Sequence, residues 1–553
     1  MRSTLLVAFS LFVIISDVAA QQMDWVRPVG DATGHTLVTG MRRHVGGGLV
    51  IGGSFTARQL HLVTPALVNV GQGDGFIAAL QADGTARWAR ALGGTADDAV
   101  QAVAVDGSGA VYVGLRFNSL SLNVGGTTLF NRGEADAVLV KFSEQGSIER
   151  HWQLGSAGDD EIVSIAVDAD GNVLLAAQST DNQGPRICTL HVVKLTADFA
   201  PLWQRRGTST DASVRGLAVD DNGNCFIAGG AWNNLLFDDE HELDLKQERR
   251  AFIAAYSSNG TWIQGKVDTN FTAINRLCLH EGTLYAAGEY LNHYMGWGWP
   301  LADSRILLKA MSMTLEDRWL RAAGGAVVSQ SLDIVRDMDI DAQGTIFLTG
   351  DFFSPALGFA GDSLRNEFNK DYFYQQLFVL SYDRHGNELR GYSFAGNLND
   401  AGSAIVALDG RRFVLAGNFE SDALHIGGQS LINTATTREI YVHLRPKRLG
   451  RDAISFVAQF VRGDSGVNPP PRPEALRMYP NPSHGDVIVS HGMPYGQRYE
   501  VAVHDIAGRL HHRSIGYASS GSIRIPAGIL APGTYMVTVT SPTNSITGSF
   551  IRE

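Results

Sequence analysis

Acidic residues recur side by side at matching places along this chain. Asp97-Asp98 follows Trp88, and Asp159-Asp160-Glu161 follows Trp152. Neighbouring carboxylates can divide general-acid and general-base work between them. Their return in equivalent loops predicts turn formation instead, because a catalytic pair is needed only once. Asp168, Asp170 and Asn172, with Gly171 between them, have the opening of a calcium loop, where alternating oxygens surround one ion. The later ligands and the closing Glu are missing at the required spacing, so no metal is assigned. The 16 His are scattered without ligand spacing, and His511-His512 stands near the end of the chain. Gly46-Gly47-Gly48 has no phosphate-loop Lys after it, and no nucleophile elbow is present. No catalytic residue and no cofactor is assigned. Cys188, Cys225 and Cys278 are too few for a disulfide framework; one bridge is possible, and buried inert thiols are the better expectation.

Aromatic residues offer a different chemistry. A long segment after Gly288 carries Tyr290, His293, Tyr294, Trp297 and Trp299, and another after Gly350 carries Phe368, Tyr372, Phe373 and Tyr374. Exposed aromatic rings beside polar groups stack on sugars or anchor protein partners. The candidate ligand-binding residues are therefore Tyr290, His293, Tyr294, Trp297, Trp299, Tyr372 and Tyr374. The competing reading is that both segments fold back over the edges of the sheets beneath them.

Which reading holds depends on the elements that position these residues, and those repeat. Ala104–Gly114, Ala166–Leu175, Ala218–Ile227 and Asp339–Leu348 each read as an apolar strand, a polar turn closing on Gly, and a second apolar strand. The Gly supplies the positive φ of a tight turn, and Asp or Asn caps it. A second hairpin follows in each unit: Phe76–Leu80 with Gly84 and Trp88, Ala137–Phe142 with Gly146 and Trp152, Phe252–Tyr256 with Gly260 and Trp262. Four strands recurring about every 60 residues, about seven times, predict an all-β protein with about seven propeller blades. The short turns then occupy one face of the ring, and the long segments after Gly288 and Gly350 project from the other. Trp25, Trp88, Trp152, Trp203, Trp262 and Trp319 read as packing between blades.

The first repeat is out of phase. Trp25 precedes His35–Met41 as Trp88 precedes Val100–Val105, so the mature chain begins with the last strand of a blade completed at its other end. Asp452-Ala453 with Phe456–Phe460 is one candidate for the neighbouring strand and Ile440–Leu444 the other. Pairing there closes the ring and leaves no open sheet edge. Over residues 25–460 the units resemble bacterial β-propeller repeats with an Asp-x-x-Gly-Asn turn and an Asp-Ala-Phe-Val-Ala-Lys-Tyr-like strand. That resemblance implies fold and an extracellular setting, without a single chemistry.

Composition and termini set the address. The 553 residues are 44% hydrophobic and 18% charged, with 62 Gly and a net charge of −11. That balance suits a globular chain of at least two domains and argues against nucleic acid or an anionic membrane as partner. Arg2, the apolar stretch Leu5–Ile15 and the small residues Val18-Ala19-Ala20 predict a signal peptide over 1–20. No run is long enough for a transmembrane helix. The propeller is expected over 21–462, a Pro-rich linker over 463–474 and a small Ig-like β-sandwich over 475–553, because its strands alternate between Pro- and Gly-marked turns.

Three motifs stand in order in that last segment: Tyr479-Pro480-Asn481-Pro482 with Gly485, Asp505 with Gly508-Arg509, and Gly533 with Tyr535. Together they resemble the type IX secretion sorting domain of Bacteroidetes. The resemblance implies handling by the type IX machinery, passage through the periplasm and the outer membrane, and release or retention at the cell surface. The functional expectation is a non-catalytic binding or adhesion protein for glycan or protein. The alternatives are an extracellular hydrolase or lyase with a site assembled across blades, and a structural surface component.

Overall fold

The computed structural model describes residues 22–30, 33–181, 187–292, 303–324, 333–366, 374–394, 396, 398–426, 429–433, 438–440, 448–450 and 452–461 and, in the tail, 477–479, 487–490, 498–505, 509–517, 522–525, 530–540 and 545–552. The expected signal peptide and linker lie outside these residues.

The body is all β. Among the described residues, seven antiparallel sheets share one four-strand order, each strand beside its sequence neighbour. Blade 1 runs Thr36–Arg43, Leu49–Phe55, Asp74–Leu80 and Ala86–Leu92, and blades 2 to 6 repeat it from Asp98, Asp159, Ala212, Ala273 and Ile334. Blade 7 takes Asp400–Asp409, Arg412–Phe419 and Ile454–Val461, and its outermost strand is Gln22–Val29 from the start of the chain. Trp25 pairs with Gln459 and Val26 with Ala458. The penultimate strand is thus the one starting after Ala453, while Arg438–Ile440 pairs with Arg448–Gly450 in a separate ribbon. The innermost strands touch in sequence from blade 1 to blade 7, and Asp400–Asp409 touches Thr36–Arg43 again. This is a closed propeller.

Its core is divided into seams between adjacent blades. Val50, Ile77 and Ala79 of blade 1 pack on Val100, Val113 and Phe142 of blade 2. The closing seam sets Val38, Met41 and Ile51 of blade 1 against Ala404, Val406, Val414 and Val457 of blade 7. Strands buried on both faces in this way read as continuous apolar runs, as in Phe76–Leu80.

A Trp–Gly latch accompanies four of the apolar seams. The Trp on the outermost strand of one blade lies under the second hairpin turn of the next. A Cβ added to Gly84 would sit 2.5 Å from the Trp25 ring, and one on Gly146 would sit 2.4 Å from Trp88. Gly260 and Gly386 stand the same way over Trp203 and Trp319. Trp88 Nε1 donates to the Glu144 carbonyl at 2.9 Å, and Trp203 Nε1 to that of Ser258 at 3.0 Å. Trp152 and Trp262 differ: the next turns have Phe199 and Leu315 in the place of Gly, and Trp262 stacks on His241 at 4.7 Å.

Among the described residues, five blades insert a small hairpin between their second and third strands, such as Ser121–Val124 with Thr127–Phe130. These satellites were not foreseen from the sequence. Two of them extend the preceding blade: Leu236 and Phe237 pair with Thr208 and Gly207, and Gly358 pairs with Gly324. The tail holds a three-stranded and a four-stranded sheet around Val487, Val501, Ile523, Tyr535 and Val537, the small sandwich expected from its alternating strands.

Candidate functional site

Carboxylates at the start of the innermost strands, Asp98 of the acid pairs among them, act as clamps. Asp98 Oδ2 accepts from Ser119 Oγ at 2.7 Å, Asp333 Oδ2 from Ser354 Oγ at 2.6 Å, and Asp400 Oδ2 from Ser421 Oγ at 2.7 Å. Backbone amides of the same serines complete each clamp, which ties the start of the innermost strand to the end of the second. Burial pushes the Asp333 carboxyl up to about 6 and that of Asp400 to about 8, against the opposing pull of the serine hydrogen bonds. The 21-residue Asp-to-Ser separation recurs in all three, a signal available in the sequence but meaningful only once the strand pairing is known. Asp159 accepts from Arg116 Nε at 2.8 Å, which joins blades 2 and 3.

Asp168 is occupied as well. Its Oδ1 accepts from the amides of Asp170 and Asn172, and its Oδ2 from Asn172 Nδ2 and from Lys194 Nζ at 2.8 Å. Asp106, Asp220 and Asp341 hold the equivalent turns with the same oxygen. The calcium-like pattern is therefore the capped hairpin turn of the repeat.

A half-buried serine–histidine contact has the parts of a nucleophilic site. Ser179 Oγ lies 2.9 Å from His191 Nε2 and hydrogen-bonds Asp160. Gln204 Nε2 donates to His191 Nδ1 at 3.1 Å, so Nε2 carries the ring proton and donates to the serine. Burial holds the imidazole down at about 4, in its neutral form. The proton runs from His191 to Ser179 to Asp160, the reverse of serine activation.

The polar groups that converge are at the propeller axis. Every innermost strand carries a β-bulge at one register, at Thr39, Gln101, Val163, Arg215, Asn275, Arg336 and Ser403. A bulge frees ladder groups and aims a side chain out of the sheet. Thr39 Oγ1 donates to the Val100 carbonyl at 2.6 Å, and Asn275 Nδ2 to that of Val335 at 2.8 Å, each one blade onward. Charge concentrates over blades 4 to 6. Arg215 meets Glu289 at 3.3 Å, Arg276 meets Asp337 at 3.0 Å, and Arg336 meets Asp351. Arg42 crosses the axis to Asp337 at 3.6 Å. Burial raises the Asp351 carboxyl and Arg336 opposes it. Asp339, whose Oδ2 accepts from the Ala407 amide, is raised by burial to about 6.

Of the aromatic candidates, Tyr290 and Tyr374 are described; His293, Tyr294, Trp297, Trp299 and Tyr372 lie outside the described residues. Tyr290 is half-buried in the seam that holds Phe271 and Ile274. Tyr374 is half-buried too, and its carbonyl accepts from Asn366 Nδ2 at 3.0 Å. Tyr290 lies near the end of the second strand of blade 5, paired with Arg305 of the third, and Tyr374 just before the third strand of blade 6, so both stand at the same end of their blades.

In the tail, Asp505 accepts from the Arg509 amide at 3.0 Å, from Arg509 Nε at 3.1 Å and from His511 Nε2 at 2.9 Å. Tyr535 is buried, and its hydroxyl donates to the Ala531 carbonyl at 2.9 Å. Tyr479 pairs with Ile488, and Gly533 with Arg552. Pro480, Asn481, Pro482, Gly485 and Gly508 lie outside the described residues. Residues 477–553 match the family model described as "Secretion system C-terminal sorting domain". The tail is a sorting domain. Such domains mark proteins exported by type IX secretion to the cell surface or the extracellular space, and this chain is one of them. Among the described residues, no helix is long and apolar enough to cross a membrane.

No curated protein matches the chain. Similar solved structures include the extracellular region of plexin A4, at 8% identity and a TM-score of 0.34, covering 82% of this chain and 52% of that one. A mutant of Synechocystis apocarotenoid oxygenase is 9% identical at a TM-score of 0.35, with 74% and 89% covered. Pseudomonas brassicacearum lignostilbene dioxygenase is 11% identical at 0.35, with 80% and 93% covered. The chain spans about half the length of the plexin region it matches. The propeller assignment rests on strand order and the closed cycle of seams.

Proposed function

We propose that this is a non-catalytic binding or adhesion protein of a Bacteroidetes cell surface, which contacts a glycan or protein through its propeller. In this reading residues 1–20 are a cleaved signal peptide, 21–462 form the binding body, 463–474 are a spacer and 475–553 engage the type IX machinery. The supporting observation is the state of the carboxylates. Those of the first-strand clamps are engaged by serine hydroxyls, and Glu289, Asp337 and Asp351 at the axis are each held by an arginine. A glycoside-cleaving pair needs one carboxyl free to donate a proton and another free to attack or activate water. Recognition through the face bearing Tyr290 and Tyr374 fits this arrangement better than hydrolysis.

One experiment has two arms. The full chain is screened on a glycan array and in pull-downs, beside a chain with Trp297→Ala and Trp299→Ala. A ligand whose binding falls at least tenfold in the double variant supports the reading; unchanged binding of every ligand removes the aromatic face from it. In the second arm a chain ending at Glu474 is expected to stay in the periplasm. Its normal arrival at the surface refutes the export role of the tail.

A further inference from the structure

The satellite hairpins differ in one place. Those in blades 2, 4 and 6 turn over tips of two or three residues, between Val124 and Thr127, Phe237 and His241, and Phe359 and Asp362. The hairpin of blade 1, Gln59–Leu60 with Leu67–Val68, has a tip of six, residues 61–66. This long tip frames a groove of about 400 Å³ against the outermost strand of blade 1, lined by Val63, Pro65, Ala66, Arg87, Trp88 and Arg90. Among the described residues that strand, Ala86–Leu92, pairs only with Asp74–Leu80; along its other edge the Ala89 carbonyl accepts from Arg90, and the satellite strand Ser121–Val124 of blade 2 lies beside it without pairing.

We propose that this groove binds an extended acidic peptide, which adds to blade 1 as a fifth strand. The fold supplies the precedent twice. The outermost strands of blades 3 and 5 each accept a further strand on this same edge, from the satellite of the following blade. An open strand edge beside a pocket is the site of β-augmentation, where main-chain bonds give affinity and flanking side chains give selectivity.

The charge of the occupant follows from Arg87 and Arg90, both exposed. In the equivalent Trp-x-Arg of blades 3 and 5, Arg205 Nε donates to the Gly260 carbonyl at 2.6 Å and Arg321 Nε to that of Gly386 at 2.7 Å. All three arginines also bond the carbonyl of the preceding residue, Arg90 that of Ala89 at 2.8 Å, but Arg90 makes no bond to the next blade's turn, and among the described residues no carboxylate pairs with it. Arg87 reaches only Glu144, at 3.4 Å across an exposed gap. Two cations at the lip of an apolar groove select a negatively charged partner.

A sugar is the poorer fit, because Trp88 offers no free face. The indole is 7% exposed, stacks on Phe142 at 6.0 Å, lies beneath Gly146, and carries the Arg90 guanidinium 5.9 Å from its ring centre. A second copy of this strand would bring arginines against arginines. The acidic peptide remains.

The test uses the full chain and three fluorescein-labelled heptapeptides: Val and Glu alternating, Val and Lys alternating, and the Glu peptide with Pro at its centre. Anisotropy titrations are expected to show saturable binding of the Glu peptide, with the Lys and Pro peptides at least tenfold weaker. Arg90→Glu, and separately Ala66→Trp to fill the groove, should each weaken binding at least tenfold with an unchanged unfolding midpoint. Glycan-array signals should be unchanged in both variants, which separates this site from the aromatic face. No binding of the Glu peptide, equal binding of the Lys peptide, full binding to both variants, or displacement by tetragalacturonate would each overturn the proposal.

Discussion

Burial decides the ionisation of the clamp residues, and Asp400 is the extreme. Its carboxyl sits in the ring interior with Ser421 Oγ as its partner, and desolvation outweighs that hydrogen bond. A folded-state value of about 8 against 3.8 for the free group means that the native protein holds this proton far more tightly than the unfolded chain. The sign follows by linkage: the contribution to stability is complete below pH 3.8 and is lost as pH rises through 8. Asp333 loses its share earlier, through about 6. Stability, measured as the urea midpoint by tryptophan fluorescence, should therefore fall between about pH 4 and pH 8. In Asp400→Asn, whose carboxamide does not titrate, the decline above pH 6.5 should be much shallower. Identical slopes for both proteins would show that Asp400 is ionised in the native state. The sequence reveals the acid pairs and their repetition, and hence their turn-forming role. It conceals the serines, since a partner 21 residues away is invisible until two strands are known to lie side by side.

Hairpin turns act at two levels, and two glycines separate them. Gly146 and Gly171 both have φ of +80° at the close of a tight turn. A Cβ at Gly171 meets nothing within 4 Å, whereas one at Gly146 would press into the Trp88 ring of the preceding blade. Gly171→Ala should thus cost only the left-handed backbone penalty, about 1 kcal/mol. Gly146→Ala adds displacement of a packed indole and of its bond to Glu144, so about 3 kcal/mol is expected. Chemical denaturation of the two variants side by side measures the difference; equal losses would mean that the Trp latch contributes nothing. The need for glycine at both turns is legible from the local pattern. The latch is not, because its two halves belong to different blades about 60 residues apart. Trp-x-Arg at Trp25, Trp88, Trp203 and Trp319 is the trace it leaves, and the departures at Trp152 and Trp262 coincide with the turns that hold Phe199 and Leu315 in the place of Gly.

At the scale of the ring, stability is distributed over seams, each as dependent on its neighbours as the others. The closing seam is peculiar only in its chain connectivity: Gln22–Val29 is held beside Ile454–Val461 without a covalent turn between them. The phase shift of the first Trp makes this closure readable from the sequence, while the choice between two penultimate strands needs the register. The satellites escape notice for a related reason: their strands are two to four residues long, too short for any alternation to show. Removing residues 22–29 would uncover the edge of Ile454–Val461, lift Trp25 from Gly84 and open the Val29 side of the closing seam. An edge that long and apolar pairs with other chains. The shortened protein should lose several kcal/mol, with blades 7 and 1 the first to unfold, and should associate in size-exclusion chromatography. A synthetic peptide of residues 22–29, added in excess, should restore the monomer by supplying the missing strand, and Trp25→Ala in that peptide should weaken the rescue. A shortened chain that stays monomeric with an unaltered unfolding midpoint would mean that the ring does not depend on its N-terminal clasp, and that each blade is stable without its neighbour.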